Sequence, residues 1–529
     1  MKIWLLTMEC AGIQEAGGVK DVSYALVKGF AKAGCSVTLF MPFFGCAKTD
    51  SLCNISKAFI KNVEIPICNK NEKVSFSKAF LFDGLVEVIF VEHPSFDEKK
   101  AVYVYTQEDE NENPRHIRGN GHEDSLFIDT LFSKSVAMYS NFLRKEDAPD
   151  IVHCHDASTA VFPCYASLFN QPFFEKVRHV VTIHNAGPAY HHEFKNLEEA
   201  FYYTNLDKNL LSSAQNGKRI EPFLLASTNA NLTTVSTFYA EELCNPSNNE
   251  LTDGLSSLFA QKNIKITGIT NGIDYSIYRP EKKKVSMLPH SYCPKKGKLG
   301  GKKKNRKYFL TLCKKHVSNK KINSKYLKGI ERYGWIDTNK HEKKPIFFMY
   351  HGRLVYQKGI PLLLESIPRI LNEIPSSRFF IVGQGETQVE EKLKAIASEF
   401  KGKVVFFNGY NAPISRLVAA ASDFALIPSL FEPCCLEDLI SQVFGTIPIA
   451  HSTGGLKKII DEKSGFLFMH PDSESLIRSV HRAKEFFYDK KRFASMIFWT
   501  AEYVSNIYSW DYVIQKKYLK FFKKISFRY

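Results

Sequence analysis

Short apolar runs alternate with amphipathic segments along most of the chain, at lengths that suit strands followed by helices. An apolar run at residues 2–8 leads through a loop to a helical pattern at 21–33 and a second apolar run at 36–41. The same order continues to residue 270 and starts afresh at 346–351. Because repeated strand–helix units form parallel sheets covered by helices, the pattern predicts two doubly wound α/β domains.

The stretch from residue 423 to 456 shows this order most clearly. Its pattern predicts a strand at 423–428, a helix at 434–444 and a strand at 447–450 that ends in a glycine turn. Glu432 would then lie at the N-terminus of the helix, on the sheet edge where open α/β sheets bind ligands. An ordinary strand–helix–strand unit with a polar loop would show the same spacing.

Length and composition predict a large protein of a reducing compartment. A chain of 529 residues is too long for one hydrophobic core, and its 44% hydrophobic and 24% charged residues are typical of globular proteins. No apolar run reaches the 18 residues of a membrane span, and the apolar start is too short for a signal peptide. The twelve cysteines form no regular framework, so we expect free thiols, a cytoplasmic location and no membrane partner.

The segment His153-Cys154-His155-Asp156 brings several potential metal ligands together. Neighbouring residues of an extended segment point to opposite faces. At most His153 with His155, or Cys154 with Asp156, could therefore share one side, which is too few ligands for a typical site. We expect no metal site.

The formal net charge of +16 comes from one segment. Residues 281–344 hold 21 lysines and arginines against four acids, a local charge of +17, so the rest of the chain is nearly neutral. The core of this segment, 295–307, has low complexity and lacks the interleaved aromatic residues of single-strand binders. Three interpretations remain: a mobile, solvated insertion, a docking site for an anionic partner, and a nucleic-acid arm, which the missing aromatic residues disfavour. We expect deletion of 295–307 to leave activity unchanged.

Two loops carry groups that suit a phosphate or a sugar. Arg353 and Lys358 lie five residues apart between a strand and a helix, where both could converge on a pyrophosphate. Alternatively, both are solvated surface charges. Gly17 and Gly18 precede the first helix, so this loop could bring backbone N–H groups close to a phosphate or a sugar.

Several motifs together resemble those of the bacterial glycogen synthase and plant starch synthase family. They are VEHPSFD, EDSLFIDTLFSKS, DIVHCHD, VTIHNAG, TTVSTFYAEEL, TNGIDYSIYRP, HGRLVYQKGIPLLLESI, FEPCCLEDL and GTIPIAHSTGGL. The resemblance covers most of the chain outside the basic segment. It implies the GT-B fold, an α/β architecture in which two Rossmann-like doubly wound domains face a cleft and a C-terminal helix crosses back to the N-terminal domain.

The resemblance and the pattern together imply four parts of the chain. Residues 1–280 form the N-terminal, acceptor-binding and catalytic domain, and 281–344 form the basic insertion or linker. Residues 345–505 form the C-terminal domain, which binds the nucleotide sugar. Residues 506–529 form the final helix.

The family transfers glucose from ADP-glucose to the non-reducing 4-hydroxyl of an α-1,4-glucan, with retention of configuration and without a metal. The resemblance therefore implies a glycosyltransferase whose partners are a nucleotide sugar and an α-glucan, with no cofactor. It assigns catalysis to Arg353, Lys358 and Glu432. Donor binding is assigned to Glu15, Gly17, Gly18, Asp21, Ser158, Asn271, Cys434, Leu436, Thr453, Gly454 and Gly455.

Three positions depart from the family pattern. Glu15 stands where the family has a lysine, and this opposite charge is unfavourable near a diphosphate unless a cation such as Lys20 compensates. Ser158 stands where the family has a histidine, and its shorter reach calls for a water between it and the sugar. Cys435 stands where the family has a glycine, which would crowd a turn. Two alternatives therefore stay open: a GT-B enzyme with another donor or acceptor, and a non-catalytic glucan-binding homologue.

Overall fold

The computed structural model describes residues 1–337 and 344–526. The end of the predicted linker, 338–343, and the end of the predicted final helix, 527–529, lie outside the described residues. The chain forms two compact units: unit 1 is Met1–Thr270 together with the chain from Val513, and unit 2 is Asn271–Tyr512. Among the described helices, none combines the length and the apolarity needed to cross a membrane.

Unit 1 is built on a mostly parallel sheet. Its strands are β1 (Lys2–Leu6), β2 (Ser36–Pro42), β3 (Cys53–Ile67), β4 (Lys70–Leu81), β5 (Val86–Glu92), β6 (Ile151–His155), β7 (Arg178–Ile183), β8 (Gln215–Asn216), β9 (Arg219–Ile220), β10 (Asn231–Thr234) and β11 (Ile266–Gly268). The sheet order is β11-β10-β7-β6-β1-β2-β5-β4-β3, with β8 and β9 in a separate ribbon. Only the pairings of β4 with β3 and with β5 are antiparallel within this described sheet.

Helices cover both faces of this sheet, so its central strand β1 is buried from Ile3 to Leu6. The helices of unit 1 are α1 (Val19–Lys32), α2 (Pro94–Asp97), α3 (Gln107–Glu112), α4 (Ser125–Tyr139), α5 (Phe162–Phe169), α6 (Gln171–Phe174), α7 (Leu197–Thr204), α8 (Lys208–Ser212), α9 (Pro222–Asn229), α10 (Thr237–Leu243) and α11 (Leu255–Gln261).

Unit 2 repeats this architecture. Its strands are β12 (Glu331–Gly334), β13 (Ile346–His351), β14 (Ser377–Gly383), β15 (Val404–Asn408), β16 (Phe424–Ile427), β17 (Ile447–His451) and β18 (Phe466–Phe468). They form a sheet in the order β12-β15-β14-β13-β16-β17-β18, and β12 runs antiparallel to β15. Its helices are α12 (Lys283–Ser286), α13 (Gly300–Leu312), α14 (Asn319–Ile322), α15 (Ile360–Glu373), α16 (Thr387–Glu399), α17 (Ala412–Ala421), α18 (Glu437–Val443), α19 (Ser473–Tyr488) and α20 (Lys490–Ile507). The predicted fold class of two Rossmann-like α/β units is confirmed.

The chain ends in a helical segment of α21 (Trp510–Val513), a π-helical turn at Ile514–Tyr518 and α22 (Leu519–Ser526). From Val513 onward this segment belongs to unit 1. The ring of Phe30 on α1 lies 5.9 Å from that of Tyr518 and 5.6 Å from that of Phe522. A Cβ atom at Gly29 would lie 1.9 Å from Ile514 Cδ1, so the close approach to α1 requires this glycine.

In the described part of the basic segment, residues 281–337, the chain is a folded part of unit 2 and not a solvated linker. Its helix α13 buries Lys302, whose ammonium donates to the carbonyl oxygens of Ala419 (3.2 Å) and Phe444 (3.1 Å) and to Thr446 Oγ1 (2.8 Å). The guanidinium of Arg306 donates to a further carbonyl and pairs with Asp423. The expectation of a mobile insertion at 295–307 is therefore wrong, because these two cations satisfy acceptors in the core.

Candidate active site

The predicted catalytic residues lie at the topological switch point of unit 2. Strand β13 pairs with β14 on one side and with β16 on the other, so the connections after β13 and β16 lead in opposite directions. Such a divergence leaves a crevice at the carboxyl ends of the two strands, where α/β sheets bind ligands. Arg353 and Lys358 follow β13, and Glu432 follows β16.

Lys358 and Glu432 form a largely buried ion pair. The Lys358 ammonium donates to Glu432 Oε2 at 2.6 Å, and the Ser429 hydroxyl donates to the same oxygen at 3.0 Å. Burial disfavours the charge on Lys358, but the carboxylate of Glu432 outweighs it, so the pKa of Lys358 is raised. The sequence placed both residues near a ligand, and the structure brings them into direct contact.

Local backbone contacts hold the two loops together. Leu430 N–H donates to the carbonyl of Gln357 at 2.9 Å, and the Gln357 side-chain amide donates to the carbonyl of Phe431 at 3.3 Å. Gly359 has the left-handed φ of 69°, and a Cβ atom there would lie 1.8 Å from the carbonyl oxygen of Pro428. The loop after β13 therefore needs glycine at this position to reach the end of β16.

Arg353 is exposed at the start of the same loop. Its carbonyl accepts a 2.7 Å hydrogen bond from the Tyr350 hydroxyl, which fixes the backbone. Within the described chain its guanidinium forms no hydrogen bond or ion pair. The side chain is thus available for an anionic ligand, and a guanidinium suits a phosphate because it offers two parallel donors.

Glu432 does not lie at a helix N-terminus, which corrects the sequence prediction. Helix α18 begins at Glu437, five residues later. Cys435 has the left-handed φ of 58°, which a non-glycine residue adopts at a cost of about 1–2 kcal/mol, and Leu436 only then leads into the helix. The turn therefore keeps a backbone conformation that favours glycine, although a cysteine occupies the position.

The glycine turn after β17 lies against this loop. Gly455 N–H donates to the carbonyl of Glu432 at 2.8 Å, and the Thr453 hydroxyl donates to the carbonyl of Leu430 at 3.4 Å. A Cβ atom at Gly455 would lie 2.2 Å from the carbonyl oxygen of Cys434. Gly454, with a left-handed φ of 43°, lets the chain change direction in this turn. The structure thus brings the predicted donor loop and the predicted glycine turn together.

Asn271 lies beside Cys434 in unit 2. Its backbone N–H bonds the Cys434 thiol, and the pKa of that thiol is raised to about 11, chiefly by burial. The amide oxygen Oδ1 of Asn271 is buried and has no hydrogen-bond partner among the described residues. An orphaned buried acceptor suits a ligand hydroxyl.

Unit 1 has its own switch point, between β1 and β6. The loop after β1 is held by Glu9, whose Oε2 accepts from the N–H groups of Gly17 (2.7 Å) and Ala16 (3.1 Å). The Tyr103 hydroxyl donates to the other carboxylate oxygen at 3.2 Å. Burial raises the pKa of Glu9. Gly17 N–H is therefore engaged within the protein, whereas Gly18 ends the loop just before α1.

Glu15 and Asp21 are exposed beside this loop, whereas Lys20 is half-buried. Glu15 Oε1 accepts from Gly12 N–H at 2.8 Å, so the departure from the family lysine serves the loop itself. The ammonium of Lys20 donates to the carbonyl of Gly17 at 3.2 Å and lies 3.9 Å from Asp21 Oδ2. Lys20 is thus close to the loop, as compensation for Glu15 would require.

Ser158 is buried in a short helical turn at Ala157–Thr159 after β6. Asp156 just before it has the positive φ of 60° and accepts from His184 N–H at 2.7 Å. Burial raises the pKa of Asp156 to about 7. His155 Nδ1 lies 2.8 Å from His184 Nε2, and burial lowers the pKa of both rings, so they share one hydrogen bond as neutral imidazoles.

A different cluster of unit 1 has the residue types of a metal site. The potential ligand atoms of His191, Glu193 and Glu221 lie within 4.8 Å of one another. His191 Nδ1 contacts Glu221 at 2.9 Å, and its Nε2 contacts the carbonyl of Ala186 at 2.9 Å. Both partners are acceptors, so both ring nitrogens carry protons and neither offers a lone pair to a metal. Glu193 also pairs with Arg219 at 2.6 Å. The arrangement of these side chains is therefore that of an ion-pair network.

This network predicts a pH-dependent contribution to stability. Burial opposes the charge on His191, but its bonds to Glu193 and Glu221 outweigh burial and raise its pKa to about 10. The contribution is complete below the unfolded pKa of about 6.5 and is lost as the pH rises through 10. We expect His191→Gln to lower the free energy of unfolding of unit 1 by roughly 2–4 kcal/mol at pH 6 and by little at pH 10.

Urea unfolding at pH 6, 8 and 10 measures this difference. His316→Gln, at an exposed position, is the control and should cost the same small amount at every pH. A loss for His191→Gln that does not vary with pH would mean that the ring is not charged.

Sequence reasoning missed several groups at these edges. Glu9 carries no motif of its own, and its role depends on a contact with Gly17. Tyr410, after β15, is exposed, and its ring lies 5.9 Å from that of His351 at the end of β13. Aromatic residues at strand ends, read together with the Arg353 loop, could have indicated a platform for a nucleotide base.

Comparisons with known proteins agree with this geometry. The family "Starch synthase catalytic domain" matches residues 2–259, and "Glycosyl transferases group 1" matches residues 334–491. A glycogen synthase of Thermodesulfovibrio yellowstonii is 27% identical over 99% of this chain and 97% of its own length. A glycogen synthase of Mycoplasma mobile is 28% identical over 98% of this chain and 99% of its own length.

The solved catalytic domain of starch synthase IV from Arabidopsis thaliana, bound to ADP and acarbose, has the same fold. It superposes with a TM-score of 0.77 at 24% identity, covering 100% of this chain and 99% of the other. The matched sequences and the GT-B fold confirm the resemblance seen in the motifs. The chain belongs to the glycogen synthase and starch synthase family of glycosyltransferases.

Proposed function

We propose that this enzyme transfers the glucosyl group of ADP-glucose to the 4-hydroxyl at the non-reducing end of an α-1,4-glucan, with retention of configuration. The observation that carries the proposal is the Lys358–Glu432 pair at the switch point of unit 2, with Arg353 in the same loop. Two cations suit a diphosphate and a carboxylate suits sugar hydroxyls. The relatives named glycogen synthase, and the ADP and acarbose in the starch synthase IV structure, add support.

The proposed chemistry assigns a separate role to each of these residues. Breaking the bond between the anomeric carbon and the diphosphate leaves negative charge on the departing phosphate. Arg353 and Lys358 stabilise that charge, and stabilisation of developing charge is commonly the largest catalytic contribution. Glu432 Oε2 is occupied by Lys358 and Ser429, whereas Oε1 takes part in neither bond and can accept from a donor hydroxyl.

The remaining proposed donor contacts in unit 2 come from the loop and the turn beside Glu432. The buried, unpartnered Oδ1 of Asn271 supports a hydrogen bond to a ligand hydroxyl. Because Gly455 N–H already donates to Glu432, the proposal gives Gly455 the role of allowing close packing. Tyr410 would stack on the nucleotide base. Backbone and side-chain contacts to the donor are proposed for Thr453, Gly454, Cys434 and Leu436.

For unit 1 the proposal assigns donor contacts to Gly18, Asp21 and Ser158, and loop-shaping roles to Glu15 and Gly17. The hydrogen bonds from Gly12 to Glu15 and from Gly17 to Glu9 support the loop-shaping roles. Ser158 would reach the sugar through a water, because its side chain is short.

The proposal includes no metal and no cofactor, since Arg353 and Lys358 supply the positive charge. A neutral glucan also needs no basic docking surface. The proposal therefore includes neither an anionic partner for the basic segment nor nucleic-acid binding. The twelve free cysteines support a reducing, cytoplasmic location.

Incubation of the purified protein with glycogen and radiolabelled ADP-glucose, in the presence of EDTA, tests the proposal. We expect incorporation of label, and release of that label as maltose by β-amylase, which removes α-1,4-linked maltose from non-reducing ends. A parallel reaction contains UDP-glucose. Failure to incorporate label from either donor would disprove the proposed function, and incorporation from UDP-glucose alone would disprove the donor assignment.

A second candidate is a GT-B enzyme with a different donor. Glu15 favours it, because a carboxylate replaces the family lysine in the loop after β1. The position of Lys20 at 3.2 Å from the Gly17 carbonyl weakens this argument, since a cation remains in the same loop. Preference for ADP-glucose in the assay above would reject the second candidate.

A further inference from the structure

A buried ion pair lies directly behind the loop that follows Glu432. Lys458, at the end of the turn after β17, places its ammonium 2.9 Å from Asp438 Oδ1 on α18. The side chains of both residues are almost completely buried, with exposures of 3% and 0%. The family roles assigned above use neither residue.

The Lys458 ammonium also joins the two segments that carry the proposed donor contacts. It donates to the carbonyl oxygens of Cys434 (2.6 Å), Cys435 (3.0 Å) and Gly455 (3.1 Å). Cys434 and Cys435 belong to the loop after β16, whereas Gly455 belongs to the turn after β17. One side chain therefore connects the loop, the turn and, through Asp438, the helix that follows.

The contact to Cys435 coincides with the strained point of the loop. Cys435 has a φ of 58°, which glycine adopts freely and other residues adopt at a cost. Such a conformation persists only where the surroundings hold it in place. The bonds from Lys458 to the carbonyls of Cys434 and Cys435 fix the two peptide groups that flank the Cα of Cys435, and are contacts of that kind.

We propose that Lys458 and Asp438 act as positioning residues that hold the donor loop in its binding conformation, in compensation for the cysteine at position 435. In a trans peptide the N–H points opposite to the carbonyl. By drawing the carbonyls of Cys434 and Cys435 toward itself, Lys458 turns the N–H groups of Cys435 and Leu436 away from itself. The Lys458–Asp438 pair, called the clamp below, thus sets the direction in which the loop presents its amides to a nucleotide sugar.

The charge state of Lys458 is consistent with this arrangement. Burial disfavours its charge, but the Asp438 carboxylate outweighs burial, and the pKa of Lys458 is raised. The three N–H donors of the ammonium are used by the carbonyl oxygens of Cys434, Cys435 and Gly455, and the Asp438 carboxylate balances its charge as an ion pair. Removal of the amine would leave the three carbonyl oxygens without this donor.

The test replaces Lys458 by methionine, which has a similar length and no charge. We expect Lys458→Met to raise the KM for ADP-glucose and the dissociation constant of ADP by about tenfold, with kcat within about threefold, because the loop is misplaced before the chemical step. The double variant Lys458→Met/Cys435→Gly should recover most of the ADP affinity, since glycine adopts the left-handed conformation without a clamp. A merely structural pair would show no such rescue.

Lys302→Met is the matched control. Lys302 is also a buried lysine of unit 2 that donates to three oxygens, but it does not contact the donor loop. We expect it to lower thermal stability and to leave the ADP affinity unchanged. Equal weakening of ADP binding in both variants, or wild-type affinity in a folded Lys458→Met, would overturn the inference.

A second measurement does not depend on catalysis. In the native protein Cys434 and Cys435 are buried, so iodoacetamide should alkylate them slowly. We expect Lys458→Met to increase their alkylation, followed by peptide mass spectrometry, by about tenfold, and Lys302→Met to have no such effect. Asp438→Asn serves as the milder variant, with a smaller increase. If circular dichroism shows both Lys458→Met and Asp438→Asn to be unfolded, the pair serves folding and the inference is wrong.

This inference rests on the proposed function only for its ligand. If the wild-type protein neither binds ADP nor transfers glucose, the proposed function fails, while the alkylation contrast still tests the clamp. If the wild-type protein does both and the contrast is absent, the clamp fails alone.

Discussion

Replacement of Lys358 by alanine should lower kcat/KM for ADP-glucose by about 10²–10³-fold, the usual cost of removing one group that stabilises transition-state charge. Two losses combine in this variant. The departing diphosphate loses a cation, and Glu432, which is largely buried, loses its partner at 2.6 Å and keeps only the Ser429 hydroxyl at 3.0 Å. Steady-state kinetics with labelled donor measure the effect.

Lys392→Ala is the matched control, because Lys392 is an exposed lysine on helix α16 of the same unit. It should retain wild-type kinetics. Lys358→Arg should recover part of kcat, since it restores the charge but not the geometry of an ammonium at Glu432. Wild-type kcat in a folded Lys358→Ala variant would remove this residue from the proposed mechanism.

Deletion of residues 295–307 should abolish cooperative folding of unit 2, contrary to the expectation from sequence. The deletion removes the first half of α13 and with it Lys302 and Arg306. Arg306 pairs with Asp423 and lies with its guanidinium 4.7 Å from the ring centre of Phe347 on β13. Asp423 in turn accepts from the N–H of Phe347 at 3.0 Å. Removing one partner of a buried charge pair alone costs about 3–5 kcal/mol.

Chemical denaturation monitored by circular dichroism, together with the glucosyl-transfer assay, measures the outcome. The control is the triple variant Lys303→Gln/Lys304→Gln/Lys307→Gln, which changes three exposed lysines of the same helix. It should unfold within about 0.5 kcal/mol of the wild type and retain activity. A deletion variant that folds and transfers glucose would restore the solvated-insertion interpretation.

The sequence predicted the regular elements where a single physical cause decides them. Apolar runs of strand length identified β13, β16 and β17 within a residue or two, because strands buried on both faces need continuous apolar side chains. Helix α15 was predicted from its amphipathic period, because only one of its faces packs against the core. Strand β4, which lies next to the edge strand β3, was not predicted, because its half-exposed residues impose a weaker pattern. Helices α19 and α20 were not predicted either, although α19 has an amphipathic period like that of α15.

The motifs identified the site residues of unit 2, but not their contacts. Resemblance to a family named Arg353, Lys358 and Glu432, yet their spacing of five and 74 residues says nothing of a 2.6 Å ion pair. That distance depends on the pairing of β13 with β16, which joins segments far apart in the chain.

What the sequence determined by itself was the α/β class, the family and the residue types of the site, because periodicity and motifs are local properties. Only the tertiary structure decided which charged side chains are exposed to solvent and which are buried. Lys302 belongs to the basic segment that the sequence left open as a solvated insertion, and Lys458 belongs to no assigned site. Each lies buried against carbonyl oxygens supplied by other segments of the chain. A lysine is solvated or buried according to what packs over it, and that depends on long-range contacts that one-dimensional patterns do not contain.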